Sequence, residues 1–222
     1  IWPTNYTKLG AATMFTVFFA GDDFAPRCRL GDESVQKFLQ RHYCAAMAAV
    51  ARRLADPPNV VGYGTMNEPG SGYIGLPLLE VPAGMVKKGP SPTPLQGMLL
   101  GAGHPQEVEV WEMGAGAVGQ QGTVTLNRER LSVYAKGRAD LWREHGVFTD
   151  EGGVFVAPRP DYFQISPSHG GPVNFAKDYL KPFCERVLAA VRSVSPTTLL
   201  FFEGPPMPVG KPPPFTPDEA PG

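Results

Sequence analysis

NVVGYGTMNEPGSGYIG, residues Asn59–Gly75, is an apolar run that ends on an amide and a carboxylate side by side and then turns away through proline and glycine. The segment Val60–Met66 is short and nearly all apolar, the pattern of a strand buried in a parallel sheet. Pro69 cannot donate to a continuing ladder, and Gly70 and Gly72 let the backbone leave without steric cost. The stretch therefore predicts that Asn67 and Glu68 stand at the C-terminal end of a strand, where parallel α/β folds gather functional side chains.

The flanking sequence sets this strand in a repeated pattern. Upstream, Ser34–Leu54 places Val35, Phe38, Leu39, Tyr43, Met47, Val50 and Leu54 at helical spacing, with an N-cap at Asp32 or Ser34. ADPPN stops that helix just before the strand. Late in the chain, Asn174–Val194 is again amphipathic, with Pro182 as a kink or an early-turn residue. SPTT ends it, and LLFFE, Leu199–Glu203, is a second short apolar strand closing on a carboxylate. Helix, tight turn, buried strand and carboxylate occur twice, which predicts a parallel α/β architecture with strands buried on both faces.

Other segments read less sharply. Ala11–Phe19 is rich in Phe, Val and Thr and fits a buried strand or a helix end, and GDDFAPRCRLGDE fits a loop. Leu76–Thr125 is irregular, too long for an ordinary βα loop and too apolar for a disordered linker. A long ordered insertion after a strand's C-terminal end is where barrel enzymes carry substrate-binding loops. A helix is predicted over Arg128–Glu144, followed by a loop that contains one weak strand, GVFVA.

Composition bounds the class. A chain of 222 residues with 42% hydrophobic and 18% charged residues can bury a sizeable core. Its net charge of −1 gives no reason to expect a nucleic-acid or acidic-membrane partner. No apolar run approaches the roughly 20 residues that span a bilayer; the longest is MFTVFFA, Met14–Ala20. Three cysteines, Cys28, Cys44 and Cys184, form no CxxC pair and are odd in number. Free thiols are expected, which leans toward a reducing compartment. The chain opens on Ile1 without a methionine or a charged leader and closes on a Pro/Gly-rich stretch over 204–222, so a missing N-terminus is expected.

VVGYGTMNEPGSGYIG, together with ATMFTVFFAGDDFAP and the helix VQKFLQRHYCAAMAAVARRLADPPNV, resembles glycoside hydrolase family 5. SPTPLQGMLLGAGHPQEVEVWEM, LWREHGVF and RPDYF resemble the long insertion of its endoglycoceramidase-related branch, which includes fungal glucosylceramidases and steryl β-glucosidases. The resemblance implies that residues 1–222 are part of a (β/α)8 TIM barrel, about strands 3/4 to 5, with residues 76–125 inserted over its mouth. It implies that Glu68 is the general acid/base and that Asn67 binds the sugar near C2. The implied reaction is retaining hydrolysis of a β-glucosidic bond to a lipid aglycone, glucosylceramide or steryl glucoside, without metal or organic cofactor. A β-glycanase of the same family acting on oligosaccharide, or a truncated sugar-binding remnant, are the alternative readings.

Glu203 is the one candidate nucleophile in these residues. In the family the acid/base ends the fourth strand and the nucleophile the seventh. Counting elements makes LLFFE the fifth, so the nucleophile is expected beyond Gly222 and Glu203 is expected to line the mouth or serve structure. An isolated middle portion of a barrel should expose open sheet edges and fold poorly. His42, His104, His145 and His169 fall in a helix, the insertion or a loop, and are expected to be structural. Tyr73, Trp111, Trp142 and Tyr162 fit core packing better than stacking on sugar.

Overall fold

The computed structural model describes residues 2–83, 86–113 and 119–205, with the backbone alone at residues 2–3. A 3-10 turn (Trp2–Asn5) leads into helix α1 (Leu9–Phe24), a hairpin of β1 (Arg29–Leu30) and β2 (Glu33–Ser34), helix α2 (Val35–Arg53) and strand β3 (Gly62–Gly64). Then come β4 (Gly89–Ser91), helix α3 (Pro94–Gly101), β5 (Gln106–Glu112), β6 (Gly119–Leu126) and the short helix α4 (Leu141–Glu144). Strands β7 (Thr149–Glu151) and β8 (Val154–Val156), a π-helical turn (Phe175–Leu180), helix α5 (Lys181–Arg192) and strand β9 (Leu199–Phe201) complete the order. The fold is mixed α/β. The chain divides into two compact units, Ile1–Met14 with Gly72–Pro172, and Phe15–Ser71 with Val173–Gly222. The Pro/Gly-rich segment read over 204–222 lies, from residue 206 on, outside the described residues.

The second of these units contains the repeated pattern. β3 and β9 pair in parallel, Gly62 opposite Leu199, Tyr63 opposite Leu200 and Gly64 opposite Phe201. The helices that precede them, α2 and α5, pack on each other through Phe183 and Tyr43, whose rings meet edge to face at 5.3 Å. Phe18 and Phe19 from α1 complete this aromatic cluster, each against Phe183. Ser34 caps α2 by accepting from the Lys37 N–H at 3.3 Å, and Pro182 occupies the first turn of α5. The buried Gln40 is satisfied twice, donating to the Phe18 carbonyl at 2.7 Å and accepting from Arg186.

Two expectations are corrected in this unit. Ala11–Phe19 is neither strand nor helix end but the interior of α1, which runs on to Phe24 with a kink at Ala20. Val17, Phe18, Phe19, Ala20 and Phe24 are all buried, so the helix is covered nearly all round and its sequence carries no amphipathic period. The paired strands are also less covered than predicted. Leu200 is buried, but Leu199, Phe201 and Val61 remain exposed, because among the described residues this sheet has only two strands.

The Gly72–Pro172 portion is more regular than its sequence. β4, β5 and β6 form an antiparallel sheet, with a bulge between Val110 and Trp111. α3 opens on a capping box, Thr93 and Gln96 bonding each other's backbone N–H, with Pro94 in the first turn. Tyr73, Leu79, Trp142, Phe148 and Phe163 are fully buried, and the Trp142 indole N–H donates to Thr13 Oγ1 at 3.0 Å. The helix predicted over Arg128–Glu144 is reduced to Leu141–Glu144. Asn127 adopts φ 56° and its side chain bonds the carbonyls of Leu100 and Leu131 and the Leu131 N–H, so the chain turns instead of coiling. GVFVA forms β8, paired antiparallel with β7. Among the described residues no helix is long and apolar enough to cross a membrane.

Candidate active site

β3 is built to approach its neighbour closely. A Cβ on Gly62 would overlap the Leu199 carbonyl oxygen and come within 2.7 Å of the Phe201 ring, so only glycine permits this pairing distance. The ladder continues one rung past the strand, where the Thr65 N–H donates to the Phe201 carbonyl at 2.8 Å. Thr65 is buried, and its own carbonyl accepts from the Tyr43 hydroxyl on α2. The Cys184 thiol on α5 makes a side-chain hydrogen bond with Thr65, and burial pushes this thiol up to about 11. At neutral pH it is a protonated thiol and not a nucleophile. Burial likewise raises Tyr43 and Cys44.

Immediately beyond this anchored threonine the chain presents Asn67 and Glu68. Asn67 is exposed and Glu68 half-buried, while Pro69 and Gly70 are buried. Gly70 lies close against Phe15, whose ring would stand 2.8 Å from a Cβ there. Glu68 itself has φ 45°, the left-handed region that side-chain-bearing residues seldom adopt. Its backbone N–H donates to Glu203 Oε2 at 3.1 Å. Glu203, exposed, stands two residues past the end of β9, so the carboxylate that ends one repeated pattern meets the main chain that ends the other, at the C-terminal ends of neighbouring parallel strands.

The structure thus brings Asn67, Glu68 and Glu203 together at one end of a two-stranded parallel sheet. An amide, a half-buried carboxyl and an exposed carboxylate there can bind a hydroxyl and exchange a proton with it. The sequence reading missed Tyr43, taken as one more apolar residue of a helix face; its spacing carried no sign that the hydroxyl fixes the strand end. It also missed the bond between Glu203 and the Glu68 main chain.

The remaining expected structural residues are accounted for locally. The His42 ring packs tilted against Phe38 in α2 and that of His104 against Phe155, His145 bonds the Leu141 carbonyl at 2.7 Å, and His169 accepts from the Gly171 N–H. Tyr73, Trp142 and Tyr162 are buried around Phe163, and Trp111 carries the Lys87 ammonium over its ring at 4.3 Å. The three cysteines are free thiols.

No protein-family pattern matches the chain. It is 41% identical over 198 residues to a glucosylceramidase of Rhizopus delemar, covering 87% of this chain and 29% of that protein. It is 31% identical over 193 residues to the ergosteryl-beta-glucosidase of Saccharomyces cerevisiae, covering 73% of this chain and 25% of that one. A crystal structure of Cryptococcus neoformans sterylglucosidase 1 with tris superposes with a TM-score of 0.83 at 30% identity, over 93% of this chain and 33% of that one. The chain therefore spans between a quarter and a third of the length of the relatives it matches.

Proposed function

We propose, from the premise that this chain is of the fungal glucosylceramidase and steryl β-glucosidase type, that it carries the acid/base half of a retaining β-glucosidase acting on a lipid aglycone. The observation that carries the reading is the placement of Asn67-Glu68 at the C-terminal end of β3, beside the equivalent end of its parallel neighbour β9. Parallel α/β enzymes assemble their sites at this end of the sheet. In this reading the two strands belong to a (β/α)8 barrel of glycoside hydrolase family 5, and the substrate is glucosylceramide or a steryl glucoside.

Glu68 donates its proton to the glycosidic oxygen as the bond to the aglycone breaks, while a second carboxylate attacks the anomeric carbon from the opposite face. Glu68, now ionised, removes a proton from the water that releases glucose from the covalent intermediate. Asn67 grips a sugar hydroxyl beside the reacting carbon, an interaction that strengthens as charge develops on the ring. Glu203 is not the attacking group in this reading, since β9 counts as the fifth strand of the barrel and the attacking carboxylate of the family ends the seventh.

The test is Glu68→Gln in the full-length protein. Loss of general acid catalysis is expected to lower turnover of an alkyl or steryl β-glucoside by about 10²–10⁴-fold. β-Glucosyl fluoride, whose leaving group needs no proton, should still glycosylate the enzyme at close to the normal rate. Full activity of Glu68→Gln on the steryl glucoside would remove Glu68 from the mechanism.

A further inference from the structure

We infer that Glu203 is a positioning residue for the acid/base carboxyl: its side chain clamps the backbone N–H of Glu68 and so holds that residue in the left-handed conformation that aims its carboxyl. The inference rests on the acid/base reading of Glu68 and adds a second residue to it.

The hydrogen bond to Glu203 falls between two anchors of the main chain. Below it, Thr65 is fixed by the Phe201 carbonyl and the Tyr43 hydroxyl. Above it, Gly70 lies against the Phe15 ring. Between these two anchors the regular ladder has ended. Pro69 offers no N–H, and the Glu68 N–H is taken by a side chain, Glu203 Oε2, at 3.1 Å. This is an N–H donated to a carboxylate, the stronger class of backbone hydrogen bond. It spans 135 residues of sequence and joins the ends of the two paired strands.

The conformation so held is an unfavourable one. A residue that precedes proline prefers extended backbone near φ −120°, so at φ 45° Glu68 stands about 165° of rotation away from that preference. Rotation about N–Cα swings Cβ and the carboxyl with it. Without this acceptor the peptide plane between Asn67 and Glu68 loses one fixed direction, and φ can relax toward the extended region. The carboxyl would then leave the glycosidic oxygen although nothing that touches substrate had been altered. Non-glycine residues held in this region cluster at functional sites, where the surrounding structure over-determines them. Glu203 is exposed, so its removal leaves no cavity and no buried charge.

The experiment is a leaving-group series on the full-length protein with Glu203→Ala, Glu203→Asp and Glu203→Gln. Alanine offers no acceptor, and aspartate is one methylene too short to reach. Both are expected to lower kcat/KM on an alkyl or steryl β-glucoside by about 10–100-fold, the cost of misplacing a reacting group by about 1 Å. On β-glucosyl fluoride the same variants should stay within about threefold of wild type, because that leaving group needs no acid. Glutamine keeps a side-chain oxygen at the same reach and should recover most of the lost rate.

Equal losses on both substrates, or no loss on either, would overturn the inference. So would inactivity of Glu203→Ala on both substrates with azide restoring turnover as α-glucosyl azide, the inverted product that would make Glu203 the nucleophile. Aspartate changes only length and keeps charge and solubility, so it carries the test if the alanine variant does not fold. Failure of the underlying reading shows separately, as full activity of Glu68→Gln with Glu203 intact.

Discussion

Replacing Gly62 with alanine should open the β3–β9 pair, and the structure sets the size of the effect. The new methyl group would meet the Leu199 carbonyl, which is backbone and cannot rotate away, and the Phe201 ring at 2.7 Å. Overpacking of this kind costs about 1–3 kcal/mol. Separating the strands also weakens the Thr65 N–H bond to the Phe201 carbonyl, worth about 1 kcal/mol. The total is about 2–4 kcal/mol, a large part of the roughly 5–15 kcal/mol that holds a domain folded. Cys184 reports this opening directly, since the residue is 1% exposed and its thiol is bonded to Thr65. Pulsed alkylation of the protein, read as label on the Cys184 peptide, should accelerate by about 30- to 700-fold in Gly62→Ala, at tenfold per 1.4 kcal/mol. Gly64→Ala is the matched control, because a Cβ there meets nothing within 4 Å. An unchanged labelling rate in Gly62→Ala, or an equal acceleration in Gly64→Ala, would refute the close-approach argument.

Two further outcomes follow from the same unit. Gly70→Ala pushes the Asn67–Gly70 turn off the Phe15 ring and should lower kcat by about 10–100-fold through displacement of the acid; Phe15→Leu in the same protein should restore part of the loss, and a double-mutant cycle measures the coupling. Burial raises the Cys184 thiol from 9.0 to about 11, so the unfolded chain releases this proton before the folded one. The thiol's contribution to stability is complete below about pH 9 and is lost as pH climbs through about 11. The urea midpoint should fall across that window, and less steeply in Cys184→Ala.

Where the sequence carried local chemistry, it could be read directly. Ser34, the ADPPN stop and the spacing of apolar residues defined α2, and the twin apolar runs ending on carboxylates marked two parallel strands before their pairing was known. α1 escaped because it is buried nearly all round, and a helix without a polar face has no period to detect. The region 128–140 escaped for the opposite reason: its residues favour helix, yet the left-handed Asn127 and its three side-chain hydrogen bonds bend the chain away. At the site, Glu68 and Asn67 stood out as a motif. Pro69 restricts the residue before it, but sequence does not say which allowed region that residue takes. Nor can it reveal that the partner of Glu203 is a backbone N–H, since every residue except proline has one.

The pairing of β3 with β9 also bears on how the protein is made. Glu68 leaves the ribosome 135 residues ahead of the carboxylate that fixes its backbone. At about 5–20 residues per second that interval is roughly 7–27 s. During it the edge of β3 that pairs with β9 is unpaired, and this glycine-rich edge is open to other chains. The whole Gly72–Pro172 portion is synthesised within that interval, long enough for its antiparallel hairpins to close in microseconds. The backbone of Glu68 is therefore held by a carboxylate that becomes available only after the whole Gly72–Pro172 portion has been translated.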